Sequence, residues 1–182
     1  MACVVPIAVW EQRRGELPGE RAAAWWLARR VRTLRAWRAT QVLGEMATTP
    51  IALATVAGAC AGTGVLLGVR SAAVVAGAAG VVPLNAALKR WMGATPFFRE
   101  LTGSRTDNFP SGHAVYAASV FGAVTWLAAA NGLYVIAAGA GGVVVAMGPA
   151  RVMGQVHVPS DVVAGACLGG GWLLLVVAAA AG

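Results

Sequence analysis

The chain has 182 residues, 58% hydrophobic and 12% charged, with a formal net charge of +7. A soluble domain usually carries about 25% charged residues. The apolar stretches that make the difference lack the polar faces of a buried soluble bundle.

Residues Val4 to Val9 form too short an apolar region for a cleavable signal peptide, and no basic residue precedes it. Glu11 to Glu20 is polar and holds Pro18-Gly19, so it reads as a loop. A helical pattern follows. Ala23, Trp26, Leu27, Val31, Leu34 and Trp37 recur at spacings of three and four. Arg29, Arg32 and Arg35 take the other face, with Arg30 and Arg38 at the borders. An amphipathic helix with Arg on one side and Trp on the other suits the lipid headgroup layer. A helix packed on a partner subunit is the alternative. A nucleic-acid-binding arm has only its charge in support, so no nucleic-acid partner is expected. Residues 1–48 are therefore expected to form a basic, Trp-rich interfacial segment, and residues 49–182 a single bundle domain.

Five apolar stretches follow, roughly Ile51 to Val69, Ser71 to Leu88, Ala114 to Ala130, Leu133 to Met147 and Val162 to Ala181. A membrane-spanning helix needs about 20 apolar residues. The first, second and fifth qualify directly, and the third and fourth must borrow flanking residues. The expected fold is all-α, an integral membrane bundle of about five spans with an N-terminal amphipathic interfacial helix. Gly58 and Gly62, Gly64 and Gly68, and Gly165 and Gly169 sit four apart, on one helix face each. Small residues at that spacing let helices approach closely in lipid. Packing within the bundle is the expectation, and oligomerisation through these faces the alternative. Pro83 and Asn85 interrupt the second span and predict a kink. Cys3, Cys60 and Cys167 show no metal-type spacing and are expected as free thiols.

Three short stretches at the edges of these runs carry the chemistry. Lys89 begins the first. The second, Pro110-Ser111-Gly112-His113, immediately precedes the third span. Gly112 lets a ligand approach the backbone, a helix start offers free N–H groups to an anion, and Ser111 adds a hydroxyl. His113 can carry a proton near neutral pH. A capping Ser beside an incidental His explains these four residues equally well. In the third stretch Arg151 precedes His157 by six residues and Asp161 follows it by four, just after Pro159 and Ser160. An Asp that accepts a His N–H leaves the other ring nitrogen free as a nucleophile, with Arg151 in reach to bind a substrate anion. An Arg151–Asp161 salt bridge and a zinc site on His113, His157 and Asp161 are the competing readings. The latter matches no usual zinc spacing. Ionisable groups at the edges of membrane spans are costly unless used.

These stretches resemble the three signature motifs of the type 2 phosphatidic acid phosphatase family, which shares its core with vanadium haloperoxidases. The family pattern is K-x6-R-P, then P-S-G-H, then S-R-x5-H-x3-D. The second is complete at Pro110 to His113. The third is complete from Arg151 through His157 to Asp161, with Ala150 in place of the leading Ser. In the first, Lys89 is present, but Pro96 stands at the Arg position and Phe97 at the Pro position.

The resemblance implies that His157 is the nucleophile that forms a phosphohistidine, Asp161 its orienting partner and His113 the general acid. Lys89, Ser111, Gly112 and Arg151 then cradle the phosphate. Arg99 or Arg90 is the candidate replacement for the missing arginine. The family needs no metal, and no cofactor is expected. The implied activity is hydrolysis of a lipid-linked phosphate or diphosphate: a polyprenyl diphosphate, a polyprenyl-linked sugar phosphate, phosphatidic acid or phosphatidylglycerol phosphate. The partners are then the lipid phosphate and membrane lipids. The alternative is a non-catalytic lipid-binding relative with a degraded site. Richness in Ala, Gly, Val and Arg suggests a bacterial cell membrane. Eight Arg precede Ile51, on the face that carries the motifs, against Arg70 alone on the other. Cytoplasmic loops carry excess Lys and Arg, so the active site is expected to face the cytoplasm.

Overall fold

A computed structural model of the chain describes residues 6–7, 18–29, 34–92, 109–154 and 156–182. Among these, the regular elements are helical: α1 (Glu20–Ala28), α2 (Leu34–Glu45), α3 (Thr49–Leu67), α4 (Val69–Ala79), α5 (Val81–Met92), α6 (Gly112–Tyr116), a π-helical turn (Ala117–Phe121), α7 (Gly122–Ala130), α8 (Tyr134–Met153) and α9 (Pro159–Ala181).

Five stretches are long and apolar enough to cross a membrane: Thr49–Leu67, Val69–Trp91, Gly112–Ala130, Tyr134–Met153 and Pro159–Ala181. They bear large apolar side chains on their outer faces, including Leu53, Val65, Leu66, Val135, Val145 and Leu174. In lipid such a surface needs no polar cover, whereas the backbone must satisfy its own hydrogen bonds, which a helix does. The chain is thus an all-α integral membrane bundle. The fourth span runs six residues past the expected end at Met147, through Pro149, to Met153. A proline is tolerated there because neighbouring groups re-satisfy the freed backbone. The extension carries Arg151 to the end of the helix.

The first and second spans are joined by Gly68 alone, at φ 90° and ψ 167°. A side chain at that φ would be strained. The second span breaks at Gly80, between α4 and α5, rather than at Asn85. Pro83 has no N–H to bond the carbonyl four residues back, and its ring crowds that carbonyl, which belongs to Ala79. The break therefore falls one turn before the proline. Asn85 is left inside regular helix, one turn before Lys89.

Two apolar clusters stack along the bundle. Val74, Val75, Ala78, Tyr116, Val120, Ala123 and Leu127 form one. Val81, Phe109, Val115, Ala164 and Leu168 form the other, around the start of the third span. The fifth span lies directly on the third. A Cβ at Gly165 would sit 2.6 Å from the Ser111 carbonyl oxygen, and one at Gly169 would overlap the Val115 carbonyl. Gly58 and Gly62 face open space. Packing within the bundle therefore explains the Gly165/Gly169 pair and leaves the Gly58/Gly62 face uncovered. Cys60 is a free thiol, as expected. Cys167 is disulfide-bonded, which corrects the expectation for that residue.

Of the amphipathic helix expected across Ala23 to Trp37, the described residues show α1 as far as Ala28 and α2 from Leu34, and residues 30–33 lie outside them. Trp25 and Trp26 are exposed, and the Arg29 guanidinium lies 3.9 Å from the Trp25 ring centroid. α1 packs on α8 and α9, and α2 on α8. α3 starts at Thr49, and α1 and α2 before it are packed on the bundle.

Gly169→Ala should force the third and fifth spans apart. Overpacking of this kind costs about 1–3 kcal/mol, read as a lowered melting temperature in detergent. Gly62→Ala, with open space around it, should leave the melting temperature unchanged.

Candidate active site

The fifth helix starts sharply because Val158 is extended and Pro159 takes its first turn. Asp161 lies in that turn, where a carboxylate is favoured by the helix dipole. Its Oδ2 accepts hydrogen bonds from His157 Nδ1 at 3.0 Å and from the Val158 N–H at 3.3 Å. A carboxylate only accepts, so Nδ1 carries the proton and Nε2 of the neutral ring keeps a bare lone pair. His157 is 8% exposed and Asp161 1%. Burial lowers the His157 pKa below the ordinary histidine value. The hydrogen bond and charge of Asp161 oppose this, and the nearby Lys89 and Arg151 cations add to it.

The third span is tied to the same turn. The Ser111 N–H donates to the Asp161 carbonyl at 2.9 Å. Ser111 occupies the N-cap position, yet its hydroxyl makes no capping bond. Its Oγ is buried without a partner. The capping reading of this Ser therefore fails. His113 Nε2 donates to the Gly44 carbonyl at 2.8 Å. Its ring centroid lies 6.5 Å from that of His157. A Cβ at Gly112 would meet Asn85 Nδ2 at 3.4 Å and Lys89 Nζ at 3.9 Å. Gly112 thus faces the polar side of α5.

Lys89, Asn85, Gly112, His113 and His157 line one cavity of about 320 Å³, with Ala47, Ala52, Val82, Ala86, Val115 and Tyr116 as its apolar wall. On the other side of His113 a second cavity of about 260 Å³ is lined by Thr40, Glu45, Thr48 and Arg151, among others. A Cβ at Gly44 would lie 2.5 Å from Arg151 Nη1. The absent side chain makes room for the guanidinium, whose Nε is buried without a partner.

The fold therefore brings together Lys89, Ser111, Gly112, His113, Arg151, His157 and Asp161. Arg90 is exposed and does not line the cavity. Arg99 lies outside the described residues, as do Pro96 and Phe97. The ion-pair partner of Asp161 among the described residues is His157, not Arg151. No cluster of three His, Cys, Asp or Glu that could hold a metal ion is found among the described residues. Three residues join the site that the sequence did not mark: Glu20, Gly44 and Asn85. The Glu20 Oε1 accepts the Ser160 N–H at 2.6 Å and is buried beside the His157 turn. Nothing in the sequence distinguishes Glu20 or Gly44. Asn85 did carry a signal, being a polar residue in an apolar run four positions before Lys89.

This arrangement is consistent with the sequence comparison. The model of the PAP2 superfamily matches residues 68–181. The chain belongs to the PAP2 superfamily. The match covers each of the three motif stretches. The fold is also that of a solved structure described as the first transmembrane PAP2 type phosphatidylglycerolphosphate phosphatase from Bacillus subtilis, with a TM-score of 0.71 and 21% identity over 98% of this chain and 96% of that one. A search of curated proteins found no match. In this PAP2 chain the matched region stops short of α1 and α2, so Glu20 and Gly44 reach the site from outside it.

Glu20→Ala should remove the acceptor from the buried Ser160 N–H. The expected loss is about 1–2 kcal/mol of stability, with a smaller loss for Glu20→Gln, which keeps a side-chain oxygen. Thermal unfolding of the two variants in detergent measures the difference.

Proposed function

We propose that this PAP2 protein hydrolyses a lipid-linked phosphate monoester or diphosphate through a phosphohistidine on His157. The observation that carries the reading is the 3.0 Å bond between His157 Nδ1 and Asp161 inside a cavity shared with Lys89 and His113. A protein that only binds lipid has no need of an oriented imidazole nucleophile, which disfavours the non-catalytic alternative despite the altered first motif.

In this mechanism His157 Nε2 attacks phosphorus, an N–P bond forms and the P–O bond to the leaving group breaks. His113, with its Nε2–H held by the Gly44 carbonyl, gives the Nδ1 proton of its imidazolium to the departing oxygen. Water then adds to phosphorus with His113 as base, the N–P bond breaks and phosphate leaves. Lys89, the Gly112 N–H, the Ser111 hydroxyl and Arg151 neutralise the phosphoryl oxygens, whose charge is the main thing an enzyme must stabilise here. The Gly44 carbonyl accepts the Nε2–H of His113, so it holds the ring in either charge state. The apolar wall from Ala47 to Val115 suits the lipid chain next to the headgroup. The Bacillus subtilis protein of the same fold is a phosphatidylglycerolphosphate phosphatase, and phosphatidylglycerol phosphate is one of the four substrate types the motifs suggest. Exposed Trp25 and Trp26 with Arg29 suit the headgroup layer.

His157→Ala should abolish phosphate release from a panel of lipid phosphates while the protein remains folded. Asp161→Asn should lower the rate by about two to four orders of magnitude. Only the neutral His157 ring attacks, and its pKa is lowered, so the neutral form persists as pH falls. The acid limb of kcat/KM should lie below the ordinary histidine value of about 6.5. Vanadate should inhibit and EDTA should not. Near-normal turnover in the His157 variant sinks the mechanism.

We also propose that the site faces the cytoplasm. α2, which carries Arg38, lines the cavity beside His113 and Arg151 through Thr40, Gln41, Gly44 and Glu45, whereas Arg70 shares a pocket with Ala180 and Ala181. In intact cells a membrane-impermeant thiol reagent should label Arg70→Cys readily and Thr49→Cys only after permeabilisation. The reverse pattern overturns this orientation.

A further inference from the structure

We propose that Asn85 is a phosphate-contacting residue of this site, giving a side-chain N–H to the phosphoryl group that lies against Gly112. The proposal rests on the phosphatase reading above and adds a residue outside the three motifs.

Asn85 belongs to the second span and is only 5% exposed. A primary amide carries two donors and an acceptor, and burying it among apolar residues is unfavourable unless it is bonded. In membrane helices a structural Asn meets this demand by bonding across to a neighbouring helix. Asn85 does not follow that pattern. Its Oδ1 is buried with no hydrogen-bond partner among the described residues. The side chain instead reaches the cavity that Lys89, Gly112, His113 and His157 line.

Its position within that cavity fits an anion. Asn85 and Lys89 are four residues apart on α5 and share one face. Both point at the first turn of the third span. Their Nδ2 and Nζ atoms lie 3.4 Å and 3.9 Å from where a Cβ of Gly112 would be. The absent Cβ leaves the approach to this turn open, and an ionised phosphoryl group lying against it would meet an ammonium, a side-chain amide and a helix-start N–H together. All its oxygens accept, so each of these donors is used. The amide Oδ1 remains to accept from a hydroxyl or protonated oxygen of the substrate. The first motif has Pro96 where its family carries Arg. A neutral amide one turn before Lys89 restores a donor without adding a second buried cation.

The test uses full-length protein in detergent. Asn85→Ala and Asn85→Asp are compared with wild type in three measurements: melting temperature without ligand, orthovanadate affinity from thermal stabilisation, and kcat/KM for the lipid phosphate that wild type hydrolyses best. Asn85→Ala should keep the unliganded melting temperature and lose about 10- to 100-fold in both vanadate affinity and kcat/KM, the size of one hydrogen bond to a charged group. Asn85→Asp should lose more in both, because a carboxylate repels the anion. Vanadate affinity within twofold of wild type in the alanine variant overturns the assignment. So does a lowered melting temperature with unchanged vanadate affinity in the folded fraction. Should the alanine variant not be recovered folded, the isosteric aspartate variant decides alone, and wild-type vanadate affinity there overturns it. Wild type that binds vanadate through Asn85 yet releases phosphate from no lipid would overturn the phosphatase reading and support Asn85 as an anion contact.

Discussion

The third and fifth spans touch backbone to backbone, and the site is a consequence of that contact. With side chains at Gly165 and Gly169, the Ser111 and Val115 carbonyls would collide with the fifth helix. Without them the Ser111 N–H reaches the Asp161 carbonyl. That bond places the turn carrying His113 beside the turn carrying His157. Lipid tails are as apolar as the helices, so close packing has to supply what a hydrophobic driving force supplies in water. Small residues are therefore needed at this crossing, and the catalytic geometry inherits their precision.

The polar side of the site is costly in isolation. Asn85 Oδ1, Ser111 Oγ and Arg151 Nε are buried and lack partners. Each carries a desolvation penalty that a bonded group would not. The Ser111 hydroxyl, the Arg151 guanidinium and the Asn85 Nδ2 are donors that a phosphate anion would complement, because donors fixed in place need no reorganisation when charge develops. The same desolvation keeps His157 neutral. Two cations near it act in that direction, and Asp161 acts against it while fixing the tautomer. In the proposed mechanism a nucleophile needs the bare nitrogen and a phosphate needs the cations, so the two requirements are met by one set of charges.

The segment before the first span is part of this site rather than an accessory to it. Its Gly44 supplies an acceptor to His113 and room for Arg151. Glu20, far away in sequence, holds the Ser160 N–H at the start of α9. Both roles use backbone or carboxylate groups with no characteristic pattern, which explains why the amphipathic pattern of the segment pointed only to the membrane surface.

The five spans, the all-α class and the family were legible in the sequence because each is a local property. A run of apolar residues either is or is not long enough to cross a bilayer. The P-S-G-H stretch and the spacing from Arg151 to Asp161 are read within a few residues of one another. Even the dyad of His157 and Asp161 follows from four residues of separation at a helix start. What the sequence did not decide were contacts between distant segments. The break at Gly80 depends on which carbonyl Pro83 obstructs. The packing of α1 and α2 on α8 depends on contacts with a helix about a hundred residues away. The roles of Glu20, Gly44 and Asn85 depend on where 140, 69 and 27 residues of intervening chain bring them (Ser160, His113 and Gly112 respectively). Local pattern carries no record of such approaches, since side-chain position across a bundle is set by helix crossing and close packing, and these are properties of the tertiary structure.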